Sequence, residues 1–193
     1  MPPKAKFTRE EIIDSAIKLI ESHGILALTA RSLGESLKSS SRPVFTVFRN
    51  MEEVQSYTIR AVKKIYTQYI DEGLKETPSF KGVGKAYIRF AFERPVLFQL
   101  LFMREQSVVP DAENVLVYID EENKDKILSS IENGYGLNRE ISEQLYLHLW
   151  MYSHGIAVLI ATKVCVFSAE KVSEMLTEVF VSMLKKIKTE GKL

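Results

Sequence analysis

Residues 29–51 read TARSLGESLKSSSRPVFTVFRNM, and this stretch decides the fold. Thr29 has the side chain of a helix N-cap, and Leu33 and Leu37 lie one turn apart on one face of the helix that would follow. The run Lys38-Ser39-Ser40-Ser41 breaks that apolar pattern and offers three further N-cap residues. Val44, Val47 and Phe48 then restart the pattern at helical spacing. Two short helices joined by about four residues make helix-turn-helix geometry. A groove-reading second helix needs apolar anchors inward and compact or basic groups outward. Here the outward set is Ser41, Arg42, Phe45, Thr46 and Arg49. Pro43 has no backbone donor and fits only the first helical turn, which favours a cap at Ser40 or Ser41.

Upstream, Phe7-Thr8-Arg9-Glu10-Glu11-Ile12 is a helix start. Thr8 and Glu11 have capping-box spacing, Phe7 and Ile12 that of a hydrophobic staple, and His23-Gly24 closes the helix. Lys4 and Lys6 ahead of it are either a phosphate-seeking arm or a solvated tail. Downstream, Asn50 to Glu53 repeats the capping-box spacing and begins a long helix, which Thr77-Pro78 ends. Further helices are expected over 80–92, 95–103, 112–133, 138–167 and 168–188, with a loop over 106–111 that exposes Val108 and Val109. No segment alternates like a strand. The expectation is an all-α fold of about nine helices. The boundary near Ile65 divides a helix-turn-helix DNA-binding domain, 1–64, from a ligand-binding and dimerisation domain, 65–193.

Composition bounds the function classes. The chain has 193 residues, 46% of them hydrophobic, and a net charge of +1. The charge is unevenly spread: residues 1–64 hold eleven Lys/Arg against seven Asp/Glu, a local +4. A basic head on a mildly acidic body suits a small DNA-contacting module. The single cysteine, Cys165, excludes an internal disulfide framework and a Cys-based zinc site, and in the run VCVF it reads as a buried, inert thiol. Residues 145–166 approach membrane-spanning length but hold His148, Ser153, His154 and Lys163, so a buried helix of a bundle is expected and no membrane partner. The N-terminus lacks the apolar core of a signal peptide, which points to the cytoplasm. No phosphate-binding glycine loop, nucleophile elbow or helical metal pair is present, so no catalysis, cofactor or metal is expected.

At residues 29–54 the chain resembles the TetR family of bacterial transcriptional regulators, whose DNA-binding signature runs roughly T-V-R-D-I-A-x-x-A-G-V-S-x-G-x-L-Y-x-Y-F-x-x-K-E-x-L. Thr29, Arg31, Leu33, Gly34, Leu37, Ser40, Val44, Phe45, Phe48, Glu52 and Val54 hold corresponding places without a gap. Four departures stand out: Lys38 replaces the turn glycine, Ser39 a buried valine, Phe45 a tyrosine and Met51 a phosphate-binding lysine. A lysine in a left-handed turn costs about 1–2 kcal/mol, so a rebuilt turn is expected. In the body, Arg94-Pro95-Val96-Leu97-Phe98 resembles the start of the family's sixth helix. Trp150 through Gly155 matches the W-x-x-x-H-G pattern of one subgroup. The resemblance implies a homodimeric repressor on double-stranded operator DNA, released when a small-molecule effector pulls the long linking helix.

Arg42 is the first choice for a base contact, since an arginine early in a recognition helix can pair with both acceptors of a guanine edge; a phosphate contact stays open. Thr46, Ser41 and Arg31 join it as base-contact candidates. Thr29, Ser40, Phe45 and Arg49 are the phosphate-side candidates, Phe45 by apolar contact only. Tyr66, Tyr69, Tyr87, Phe90, Phe98, Phe102, Tyr118, Trp150 and His154 either fill a core or line a pocket for an apolar or aromatic effector. Met175, Val179, Phe180 and Met183, on the apolar stripe of the last helix, are the expected dimer interface. The alternative is a helical small-molecule or lipid carrier, or an adaptor, that does not bind DNA.

Overall fold

A computed structural model describes residues 5–105 and 122–189. Among these are eight α-helices and no strand: α1 (Arg9–His23), α2 (Ala30–Ser36), α3 (Met51–Gly73), α4 (Ser79–Glu93), α5 (Pro95–Phe102), α6 (Lys124–Tyr135), α7 (Arg139–Ala161) and α8 (Ala169–Thr189). Two single 3₁₀ turns, Ile25–Ala27 and Val44–Thr46, complete the set. Residues 106–121, which hold Val108, Val109, Tyr118 and the first part of the helix expected over 112–133, lie outside the described residues, as does Lys4.

The chain divides into two compact units, one of Met1–Ile65 with Val96–Arg104, the other of Tyr66–Pro95 with Glu105–Leu193. Helix α3 runs through the division. Helix α5, placed with the body by sequence, belongs to the first unit, where Leu97, Phe98 and Leu100 are buried.

Local signals built the first unit as expected. Thr8 Oγ1 accepts from Glu11 N at 3.1 Å, and Glu11 Oε2 accepts from Thr8 N at 2.8 Å. This reciprocal pair satisfies two donors that a helix start leaves open. Gly24, at φ 81°, ends α1 by donating to the Ile20 carbonyl. Ile12, Ala16 and Ile20 on α1, Leu33 on α2, Val44 and Val54 are all fully buried, and α1 packs against α2. Arg9 ties α1 to the segment from Val47 to Tyr57. Its guanidinium lies 5.2 Å from the Phe48 ring and 4.5 Å from the Tyr57 ring, and it donates to the Val47 carbonyl at 3.5 Å.

In the second unit, α4 packs against α6, α7 and α8, and α7 against α6 and α8. The turn from α3 into α4 is unusually tight. A Cβ built on Gly82 would stand 2.0 Å from the Gly73 carbonyl oxygen, so only glycine allows the two helices this approach. Exposed ion pairs from Arg89 to Glu72 and from Lys126 to Asp71 join α3 to α4 and α6, each worth about 0–1 kcal/mol. Helix α7 stops at Ala161, six residues before the expected end, and Lys163 turns left-handed at φ 59°. Val164 and Val166 therefore lie exposed in the α7–α8 connection. Cys165 lies there too: it is exposed, and not the buried thiol its apolar neighbours suggested.

Candidate functional site

Helix α2 begins where expected, with Thr29 Oγ1 accepting from Ser32 N at 3.2 Å and Ser32 Oγ accepting from Thr29 N at 3.1 Å. The turn after it is set by Gly34. A Cβ there would meet Ser40 C and Ser41 N at 2.8 Å, both backbone atoms, and the Gly34 carbonyl accepts from Ser39 N at 2.9 Å. Lys38 takes φ 51° without being a glycine, so the turn keeps its left-handed residue and is not rebuilt.

The second helix of the motif differs from expectation. Instead of an α-helix capped by a serine, the segment holds a single 3₁₀ turn, Val44–Thr46, flanked by hydrogen-bonded turns. Val44, Phe45 and Thr46 donate to the carbonyls of Ser41, Arg42 and Pro43, three residues back, at 3.1–3.2 Å. No side chain caps it. Pro43 cannot donate, and the close passage of residues 40–41 over Gly34 leaves one turn for the chain to reach Phe48. Val44 and Phe48 are buried as anchors, while Arg42, Phe45, Thr46 and Arg49 are exposed and Ser41 is half-buried. Thr46 Oγ1 donates to the Pro43 carbonyl at 2.6 Å. Thr29 and Ser40 are exposed, and exposed Arg31 pairs with Glu35 at 3.0 Å. Asn50 Oδ1 caps α3 through Glu53 N at 2.9 Å, and the Glu53 carboxylate turns back to Arg49 N at 2.7 Å, which fixes the end of the segment before α3.

The second unit contains a cavity of about 280 Å³ between α3, α4, α6, α7 and α8. Seven aromatic residues line it, Tyr66, Phe80, Tyr87, Tyr135, Tyr146, Trp150 and Phe180, with aliphatic side chains between them. Polar groups are few, chiefly Lys81, Ser153 and Thr177. The Tyr87 hydroxyl and His154 Nδ1 share a hydrogen bond of 2.8 Å, and the imidazole stacks on the Trp150 ring at 4.9 Å. Burial holds the His154 pKa below its ordinary 6.5, so the ring is neutral at pH 7.

Of the expected pocket residues, the structure brings Tyr66, Tyr87 and Trp150 to the cavity wall. His154 stands behind Tyr87 and orients it. Phe90 packs behind Tyr66, with ring centroids 5.5 Å apart. Tyr69 is turned away from the cavity: its hydroxyl donates to Glu93 at 2.7 Å, and burial and that carboxylate push its pKa up to about 12. Phe98 and Phe102 sit in the first unit, 5.1 Å apart, because α5 packs there. Phe180, expected at a dimer interface, lies 4.7 Å from the Tyr135 ring and 6.0 Å from that of Phe80 in the same chain, as part of the cavity wall. Met175, Val179 and Met183 are half-buried on α8. The sequence reading missed Phe80, Lys81, Gly84, Tyr135, Tyr146 and Ser153. The spacing of Lys81, Gly84 and Tyr87 on one face of α4 was the available signal.

No helix among the described residues is long and apolar enough to cross a membrane. No protein-family model matches the chain. An uncharacterized HTH-type transcriptional regulator of Bacillus subtilis, YobS, is 23% identical over 170 residues, covering 83% of this chain and 83% of that protein. Among solved structures, a TetR-like transcriptional regulator from Rhodococcus sp. RHA1 superposes with a TM-score of 0.63 at 11% identity, covering 96% of this chain and 99% of its own. The fatty acid degradation regulator FadR from Bacillus halodurans superposes with a TM-score of 0.58 at 18% identity, covering 94% and 97%. The chain has the fold of TetR-like transcriptional regulators.

Proposed function

We propose that this chain is a homodimeric, DNA-binding transcriptional regulator of TetR type, a cytoplasmic repressor whose grip on an operator is set by a small molecule in the body cavity. The observation that carries the reading is the stretch 40–49. Two buried anchors, Val44 and Phe48, hold up a short exposed face of Arg42, Phe45, Thr46 and Arg49 on a turn locked by Gly34. A carrier or adaptor has no use for a braced, outward-facing arginine set.

In this reading the first unit is the DNA head and the second the ligand and dimer body. Arg42 reads a base edge and Thr46 and Ser41 touch neighbouring positions; Arg31 contributes only after leaving Glu35. Thr29, Ser40 and Arg49 position phosphates, and exposed Phe45 packs on a sugar or a thymine methyl. Two heads of a dimer would address half-sites about 34–36 Å apart. An effector that binds the DNA-incompetent state about 100-fold better shifts the balance by roughly 2.7 kcal/mol, enough to release an operator of ordinary affinity. Dimerisation would use the faces of α7 and α8 that stay apolar and exposed, including Met151, Leu159 and Val181.

The test is selection of a binding site from random duplex DNA, followed by titration at two salt concentrations. Specific binding that weakens with salt is expected, and Arg42→Ala should cost about 1–3 kcal/mol and relax preference at one base pair. Equal loss on all sequences moves Arg42 to the phosphate class. Absence of any DNA binding by a folded dimer leaves the carrier reading, which shares the cavity.

A further inference from the structure

We infer that the body cavity is built for an organic acid, an apolar or aromatic body ending in one carboxylate, with Lys81 as the carboxylate's partner. The inference deepens the ligand-responsive reading above and rests on it for its regulatory meaning, but the binding chemistry stands on the cavity alone.

Lys81 is the one charged residue among the described residues of a wall that is otherwise aromatic and aliphatic apart from Ser153 and Thr177. It is half-buried and makes no ion pair or hydrogen bond among them. No carboxylate among the described residues lines the cavity to neutralise it. The backbone adds to the imbalance. Lys81 stands in the first turn of α4, a start with no side-chain cap and no acidic residue. Unpaired backbone N–H groups make a helix N-terminus partly positive, so an ammonium placed there is held against the helix dipole until an anion arrives.

Along α4 from Lys81, each step of three residues advances about 4.5 Å. One step beyond Lys81 is Gly84, whose missing side chain leaves the Ser153 hydroxyl uncovered. That residue is 4% exposed, and its Oγ has no hydrogen-bond partner among the described residues. A second step reaches Tyr87, whose hydroxyl is already committed to His154. The cavity thus offers one cation, neutral polar groups that include the Ser153 hydroxyl and the buried, partnerless Trp150 Nε1, and aromatic walls around them. Its volume of about 280 Å³ is near the lower end of the ~300–1,000 Å³ typical of ligand sites, which favours a small acid.

Trp150 is the only tryptophan and lines the cavity, so its fluorescence reports occupancy without DNA. The full chain is titrated with 4-phenylbutyrate and octanoate, and with 4-phenylbutanamide and octanamide as uncharged counterparts. The acids are expected to bind about tenfold or more tightly than the amides, as a charge-assisted hydrogen bond implies. Lys81→Met should erase that preference by weakening the acids more than the amides, and Lys81→Arg should keep it; melting curves check that both variants fold. Acids and amides binding alike, a preference that survives Lys81→Met, or no binding by either acid would each overturn the inference. DNA binding by the ligand-free protein is measured in parallel. If it persists, the regulator reading outlives a failure of the acid class; if it is absent while acids bind, the regulator reading fails and the site remains.

Discussion

Replacing Gly34 by alanine sets two effects against each other at the turn that carries the reading stretch. Alanine in a helix is favoured over glycine by about 0.5–1 kcal/mol. Against this, the new methyl would stand 2.8 Å from Ser40 C, 2.8 Å from Ser41 N and 3.1 Å from Ser40 O. Carbon contacts are most favourable near ~3.5–4.0 Å, so residues 40–41 must retreat by most of an ångström. They are backbone and cannot rotate aside. Overpacking of this kind costs about 1–3 kcal/mol. The retreat also pulls on the Ser39 N–H to Gly34 carbonyl bond and displaces Arg42. A net loss of about 1–2 kcal/mol follows, or several degrees in Tm for a chain of this length. Urea or thermal unfolding followed by circular dichroism reads the stability, and titration of the selected DNA reads the function, which should weaken. Gly84→Ala is the control. Its methyl would meet only the Leu176 methyl groups at 3.3 and 3.7 Å and Ser153 Oγ at 3.7 Å, all side-chain ends, so stability should hold or rise by up to about 1 kcal/mol. A Gly34→Ala protein as stable as the parent, with unchanged DNA binding, would refute the argument for the turn.

Leu159→Glu should convert a dimer to monomers on sizing with light scattering, since each buried leucine side chain is worth about 1.5–3 kcal/mol; an unchanged dimer would move the interface elsewhere. Phe180→Glu, by contrast, should first damage the cavity wall, seen as loss of ligand-induced Trp150 quenching. His154 contributes a pH dependence. Its folded pKa lies below 6.5, so between the two values the unfolded chain holds more protons, and stability falls as pH drops. The contribution is complete above 6.5 and gone below the folded value. Stability of the parent minus that of His154→Gln should therefore decline as pH falls below 6.5, and a flat difference would show that the ring is not held neutral.

The caps, the long linking helix and the anchors of the reading stretch were legible in the sequence because each depends on neighbours. Thr8 with Glu11, Thr29 with Ser32 and Asn50 with Glu53 bond within four residues, and Leu33, Val44 and Phe48 keep a helical spacing that any packing partner must respect. Even there, the passage of residues 40–41 across Gly34 tightened an expected α-helix into a 3₁₀ turn, which no spacing announces. The cavity was not legible. Lys81 and Ser153 are far apart in the chain, and nothing in either's neighbours says that they share a wall. The same holds for Phe180, whose stripe on α8 looks identical whether it faces a second chain or Tyr135. Helix α5 carries aromatic residues fit for a pocket, yet packs with the first unit. Periodicity states that a face is buried. Which partner buries it, and what empty space is left between the partners, is decided by contacts between residues distant in sequence.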